Sequence, residues 1–216
     1  PGPYISAGDL ARRGGESAAG LEQVFTFSDP ATAPRGDGTS FGSAFHQVME
    51  QVDLRRPSPE QLAGLAAHAA GRWGIDNRDE LIQLAQSTLE HPLIRRARQA
   101  ELLLRELPFV YKFEGLLVEG ILDLLFQEEE GMVIVDYKTD LAEQAELERR
   151  WVDYSWQGLV YAAAMADISG RPVKEVSFLF VRKGLVKSIF NPDPVMLRQT
   201  LRENINRKGC EYTWKK

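Results

Sequence analysis

The stretch Gly120-Ile121-Leu122-Asp123, followed after a polar turn by Val133-Ile134-Val135-Asp136-Tyr137-Lys138-Thr139, decides how this chain folds. Side chains alternate faces along a strand, so residues two apart point the same way. Asp136 and Lys138 therefore share one face, and Val133, Val135 and Tyr137 share the other. Gln127-Glu128-Glu129-Glu130-Gly131 reads as a turn that pairs the two runs as an antiparallel hairpin. Asp123 then lies beside Asp136, which sets two carboxylates and one ammonium among Ile, Leu and Val. An Asp–Lys pair alone could be a structural salt bridge. Asp123 makes that a poor device, because like charges repel and burial penalises each of them. A divalent cation is the simplest compensation, and carboxylate oxygens suit Mg2+ or Mn2+.

On either side of the hairpin the pattern is equally readable. Strands are expected at 102–113, 116–126 and 132–139, then a helix at 154–168. Strands at 173–181 and 185–190 form a second hairpin around Arg182-Lys183-Gly184, and Asp193-Pro194 opens a closing helix to about residue 207. Upstream, Phe41, Phe45, Val48, Met49 and Val52 make an apolar stripe at helical spacing over 39–52. Helices at 58–70 and 77–89 follow, the first with Ser58 as N-cap, Pro59 at N1 and Gln61 at N3. Residues 1–38, rich in Gly, Ala, Ser and Pro, read as a tether with a short structured element at 21–27. This order predicts an α/β fold: a mixed central sheet with flanking helices and an N-terminal helical segment.

Length and composition narrow the classes. A chain of 216 residues, 44% hydrophobic and 26% charged, suits one globular domain, or one domain with an appended helical piece. It has no apolar run near the roughly 20 residues that span a bilayer and no signal sequence, so no membrane partner and a cytoplasmic location are expected. The start at Pro1-Gly2-Pro3, without methionine, suggests excision from a larger parent. Cys210 is the single cysteine, which excludes an internal disulfide and a four-cysteine zinc or iron–sulfur site. A net charge of −5 argues against a broadly basic nucleic-acid surface, although a local basic groove remains compatible with it.

Asp123, then Asp136-Tyr137-Lys138 after a hairpin, resembles the signature of the PD-(D/E)XK nuclease superfamily, in its RecB-like branch. Three further segments resemble that branch. Gly42-Ser43-Ala44-Phe45-His46 is similar to its Gly-x-x-x-His element, whose histidine is a metal ligand. Arg105-Glu106-Leu107-Pro108-Phe109 is similar to the segment whose glutamate lies close to the active site. Gln157-Gly158-Leu159-Val160-Tyr161 is similar to the Gln-x-x-x-Tyr element near the DNA strand.

The resemblance implies a restriction-endonuclease-like core over 39–216, with Asp123, Asp136 and Lys138 catalytic. It implies Mg2+, with Mn2+ as a substitute, held by His46, Asp123, Asp136 and the backbone carbonyl of Tyr137. Glu106, Gln157 and Tyr161 would stand beside the substrate or the ligands. The nearest likeness is to the C-terminal nuclease domains of RecB and AddA helicase–nucleases. That implies metal-dependent DNA cleavage, as an exonuclease, in double-strand break repair and recombination. It also implies a helicase motor elsewhere in the same parent chain and an AddB- or RecC-like partner. Branch members with an iron–sulfur cluster use four cysteines, so no cluster is expected here. The alternative is a catalytically retired nucleic-acid-binding or scaffolding module of the same fold.

Plainer readings stand beside these. His46 could be a packed boundary histidine, Tyr161 could be core, and Glu106 could pair with Arg105 or Lys112. Glu50 reads as a solvated residue outside the site, and His68 and His91 as surface or helix-end residues.

Overall fold

The computed structural model describes residues 23–27, 36–113, 116–139 and 144–193, together with 195, 196, 198, 199 and 202. Most of the expected tether and of the closing helix falls outside these residues. The elements run β1 (Gln23–Phe27), α1 (Gly36–Gln51), α2 (Pro59–Trp73), α3 (Arg78–Glu90), α4 (Pro92–Gln99), β2 (Leu103–Phe113), β3 (Leu116–Glu128), β4 (Gly131–Lys138), α5 (Gln144–Ser169), β5 (Val173–Phe180) and β6 (Leu185–Phe190).

Local chemistry accounts for the helix ends. Ser58 Oγ accepts the Gln61 amide at 3.1 Å with Pro59 in the first turn, as the sequence predicts, and α2 stops at Gly74 with φ 67°. Helices α1 and α3 carry no basic residue in their last turns. Arginines from elsewhere supply the missing donors. Arg105 on β2 donates to the Met49 and Val52 carbonyls that close α1. Arg98 donates to Leu89 at the end of α3. Arg55 donates to the Arg98, Ala100 and Glu101 carbonyls that close α4. Each satisfies carbonyls the helix itself leaves open and places positive charge at its negative end.

Two elements depart from expectation. Helix α4 was not anticipated, because Pro92-Leu93-Ile94-Arg95-Arg96-Ala97-Arg98-Gln99 is too short for its periodicity to be read; Leu93, Ile94 and Ala97 are nonetheless buried. Helix α5 begins at Gln144 rather than near Tyr154. Its polar first turns are supported by Glu146 pairing with Arg149 and Arg150 one turn on, and by burial of Leu147.

The sheet is mixed and six-stranded among the described residues. β2 runs antiparallel to β3 along its length, from Leu103↔Phe126 to Phe113↔Leu116. On the other edge of β3, β1 pairs in parallel with residues 116–120 and β4 pairs antiparallel with residues 124–128. The pairing of β3 with β4 ends at Leu124↔Val135, so residues 121–123 lie where β1 has finished and β4 has left. β4 then pairs in parallel with β5, and β5 antiparallel with β6.

Each face of the sheet carries a core. Val133, Val135 and Tyr137 pack with α1–α4, while Met132 and Ile134 pack with α5. Strands β2 and β3 change faces midway. Leu103 packs on the α1–α4 side and Leu107 on the α5 side, although residues four apart should agree; Leu124 and Leu122 break the rule in the same way. The break passes through Glu106 and Asp123. Arg96 ties α4 to the sheet through a two-pronged contact with Glu128, at 3.0 and 2.9 Å, and a 2.8 Å bond to buried Glu175. That guanidinium holds the Glu128 carboxyl at a pKa of about 2. No helix of the described residues is long and apolar enough to cross a membrane.

His91 joins α3 to α4, and its Nδ1 accepts the Leu93 amide at 3.2 Å. Partial burial lowers its pKa from 6.5, against a weaker opposing bond with the Gly184 backbone. Below 6.5 the unfolded chain takes up a proton more readily than the native one. The native state therefore loses stability as pH falls through this range and loses no more once both forms are protonated. In His91→Asn the capping oxygen does not titrate. Urea midpoints compared at about pH 7.5 and about pH 5 should fall more for the wild type than for the variant.

Candidate metal and catalytic site

The site forms where strand pairing stops. The ladder that joins Arg105 to Leu124 and Leu107 to Leu122 leaves Glu106 opposite Asp123, and the β3–β4 register puts Asp136 next in the same row. Three carboxylates thus stand side by side across β2, β3 and β4. Like charges in adjacent strand positions repel, so this row needs hydrogen-bonding or charged partners. They come from both faces.

From the α1 side comes His46. It is buried, and Phe45 and His46 both set ring edges against Tyr137, with centroids 5.8 and 6.1 Å away. This fixes the imidazole so that Nδ1 lies 3.2 Å from Asp123 Oδ1 and 3.8 Å from Glu106 Oε1. Ligand atoms of His46, Glu106 and Asp123 all fall within 4.8 Å of one another. One imidazole nitrogen and two carboxylates suit a hard divalent cation. Glu106 holds φ at 44°, which is uncommon outside glycine, and its backbone drops out of the β2–β3 pairing. Burial raises its carboxyl pKa, the neighbouring Asp123 charge adds to this, and the bond to His46 opposes it. A cation would relieve the same repulsion.

From the α5 side comes the lysine arrangement. Lys138 and Asp136 are each 3% exposed, and Nζ sits 2.8 Å from Asp136 Oδ2. Nζ also donates to Gln157 Oε1 at 3.3 Å. Gln157 Nε2 donates to the Tyr161 hydroxyl at 2.6 Å, which fixes the amide with its oxygen toward the lysine. Burial, with the Asp136 charge second, holds the Tyr161 phenol well above its usual pKa, so it stays a neutral hydroxyl. The Tyr154 ring lies under the ammonium, 4.9 Å from Nζ.

Asp123 links the two halves. Its Oδ1 faces His46, while its Oδ2 accepts the Tyr137 amide at 2.6 Å. Just beyond Lys138, Arg182 Nε donates to the Thr139 carbonyl at 3.0 Å, while its guanidinium pairs with Glu80 and lies 4.2 Å from the centre of the Phe41 ring.

The structure brings the expected residues into two linked clusters, His46–Glu106–Asp123 and Asp136–Lys138–Gln157–Tyr161. Glu106 stands with the possible metal ligands rather than against Arg105, whose guanidinium turns to α1. Asp136, expected as a ligand, engages Lys138. Tyr161 is both core and hydrogen-bonded. His91 is a helix-end residue, as expected, and Glu50 is exposed. Sequence reasoning missed Tyr154, although it lies one turn before Gln157 on the same helix face, and it missed Arg105 and Arg182, whose partners are far away in sequence.

A model of the PD-(D/E)XK nuclease superfamily matches residues 18–211. Among curated proteins, an ATP-dependent helicase/nuclease subunit of Thermoanaerobacter sp. (strain X514) is 38% identical over 130 residues, which cover 60% of this chain and 10% of that one. The protein of the same name from Desulforudis audaxviator (strain MP104C) is 30% identical over 224 residues, covering 87% of this chain and 18% of its own. The chain therefore spans less than a fifth of the length of these relatives. A solved structure titled "Crystal structure of SSO0001" aligns with 79% of this chain and 85% of its own at 10% identity, with a TM-score of 0.37.

Gly158 lets α5 approach the sheet closely enough for Gln157 to reach Lys138. A Cβ there would lie 3.0 Å from Phe178 Cε2, 3.1 Å from Ile189 Cδ1 and 3.2 Å from Val176 Cγ1. Gly158→Val should lift the helix, cost about 1–3 kcal/mol in chemical denaturation and weaken the bond to Lys138. A variant as stable as the wild type would show that the helix tolerates the wedge.

Proposed function

The chain belongs to the PD-(D/E)XK nuclease superfamily, and on that premise we propose that it hydrolyses phosphodiester bonds of DNA with the help of Mg2+, or Mn2+ in its place. The observation that carries this reading is the row Glu106–Asp123–Asp136, with His46 entering from one face and buried Lys138 from the other.

His46, Glu106 and Asp123 would hold the cation, with Asp136 and the Tyr137 carbonyl as the further ligands expected from the motif. When bound, such a cation supplies Lewis-acid stabilisation of phosphate charge and acidifies water. The chain's own residues do the rest. Lys138 offsets the negative charge that develops on the phosphate and orients the attacking water. Asp136 and Gln157 keep its ammonium in place before substrate arrives, so little reorganisation is needed when the charge appears. Tyr161 fixes the Gln157 amide so that its oxygen, rather than its NH2, meets the lysine. Attack in line with the leaving 3′-oxygen leaves 5′-phosphate and 3′-hydroxyl ends. A retired module is the weaker reading, because Asp123, Asp136 and Lys138 are all present and mutually placed.

The two relatives described carry the words helicase and nuclease in one name, and the chain covers only a small part of them. We therefore propose that this domain acts as an exonuclease within a longer cytoplasmic helicase–nuclease of break repair and recombination. The motor would lie elsewhere in the same parent chain, with an AddB- or RecC-like protein as partner.

End-labelled linear DNA, single- and double-stranded, should be degraded with Mg2+ or Mn2+ and left intact in EDTA. Lys138→Gln should reduce the rate about 10²–10³-fold with an unchanged circular dichroism spectrum. Tight Mn2+ binding without cleavage would indicate that the motor is required, and neither binding nor cleavage would sink the nuclease reading.

A further inference from the structure

The metal ligands proposed above come from elements that meet at the site from different directions. His46 rides on α1, which packs chiefly on α2 and α3, whereas Glu106 and Asp123 belong to the sheet. Phe45 and His46 hold α1 against Tyr137 of β4 through ring contacts. Against β2, the strand that carries Glu106, the helix is held by Arg105. Its Nη1 donates to the Met49 carbonyl at 3.3 Å and to the Val52 carbonyl, one to two turns beyond His46. The last turn of α1 has no basic residue of its own, so this guanidinium also supplies the helix's missing counter-charge.

Arg105 is the residue immediately before Glu106. A non-glycine residue at φ 44° persists only where its surroundings hold the chain on both sides. On one side Leu107 pairs with Leu122; on the other, Arg105 pairs with Leu124 through its backbone and with α1 through its side chain. One residue thus fixes both the backbone that presents Glu106 and the helix end that presents His46.

We propose that Arg105 is a positioning residue of the metal site, setting the His46–Glu106 separation that a divalent cation requires. This rests on the reading of His46, Glu106 and Asp123 as cation ligands. Arg105 touches neither cation nor substrate; it acts through the two elements it joins. Residues that orient metal ligands from behind change affinity by about 10–100-fold when removed.

The test is Mn2+ affinity of the whole chain, followed by the loss of the free-ion electron paramagnetic resonance signal, beside melting in EDTA. Arg105→Met should bind Mn2+ about 10–100-fold more weakly. Arg105→Lys, which keeps the charge and one donor, should recover part of the loss. Arg55→Met is the matched control, because Arg55 caps α4 through three carbonyls in the same way, away from the ligands. It should melt lower yet keep wild-type affinity. If Arg105→Met fails to fold, Arg105→Lys carries the comparison, with affinity expected between that of the wild type and that of His46→Ala. Wild-type affinity in Arg105→Met, or in Arg105→Lys where that variant alone folds, would overturn the inference while leaving the nuclease reading intact. An equal loss in Arg55→Met would overturn it as well, because general loosening would then explain the effect. No Mn2+ binding by the wild type itself would remove the metal reading and this inference together.

Discussion

The 2.6 Å bond from the Tyr137 amide to the Asp123 carboxylate is the contact on which the rest of this structure turns. Inside a sheet that amide would need a carbonyl of the neighbouring strand, and leaving it unmatched would be costly. Pairing between β3 and β4 ends at Leu124↔Val135, two residues before Tyr137. By accepting the amide with a side chain, Asp123 lets β4 part from β3 without an orphaned donor. The gap gives three charged side chains their directions: Asp136 and Lys138 turn toward α5, and the second oxygen of Asp123 turns toward His46 on α1.

Placing three carboxylates in one row would be a defect in an ordinary sheet. Here the change of faces along β2 and β3, at Glu106 and Asp123, distributes them. Glu106 and Asp123 meet an imidazole from one layer of helices, while Asp136 meets an ammonium backed by α5 from the other. The strain at Glu106 belongs to the same solution, because a regular strand residue there would keep the alternation of faces that β2 breaks. Such strain calls for firm surroundings. Arginines that cap α1, α3 and α4 from a distance, and Arg96 between α4 and the sheet, supply part of that firmness.

Much of this was legible in the sequence, for identifiable reasons. The alternation of Val133, Val135 and Tyr137 against Asp136 and Lys138 has one solution on a strand, and the two cores agree with it. Ser58-Pro59-Glu60-Gln61 carries its capping chemistry in the local sequence, so α2 began where expected. What escaped lacks a local signal. Helix α4 spans two turns, and the first turns of α5 are polar on nearly every side, so neither has a periodicity to detect. The break in alternation at Leu122-Asp123-Leu124-Leu125 is written in the sequence as apolar residues on both parities, yet only the two packed cores say which face each residue takes. Arg105 and Arg182 find partners more than forty residues away, beyond the reach of any window of sequence.

Charge bears on how such a site could hold a polyanion. Net charge is −5, and many cations of the described residues already have partners. Arg96, Lys174, Arg182, Lys187 and Arg198 meet carboxylates, and Arg55, Arg98 and Arg105 meet helix-end carbonyls. Diffuse phosphate contacts along a basic surface are therefore a poor source of affinity for this chain. On the function proposed above, attraction would be concentrated where Lys138 and a cation held by His46, Glu106 and Asp123 face the scissile phosphate. On the same reading the domain would grip one phosphate well and the rest of the strand weakly. On that proposal, such a domain would work best where another part of a longer protein delivers the strand.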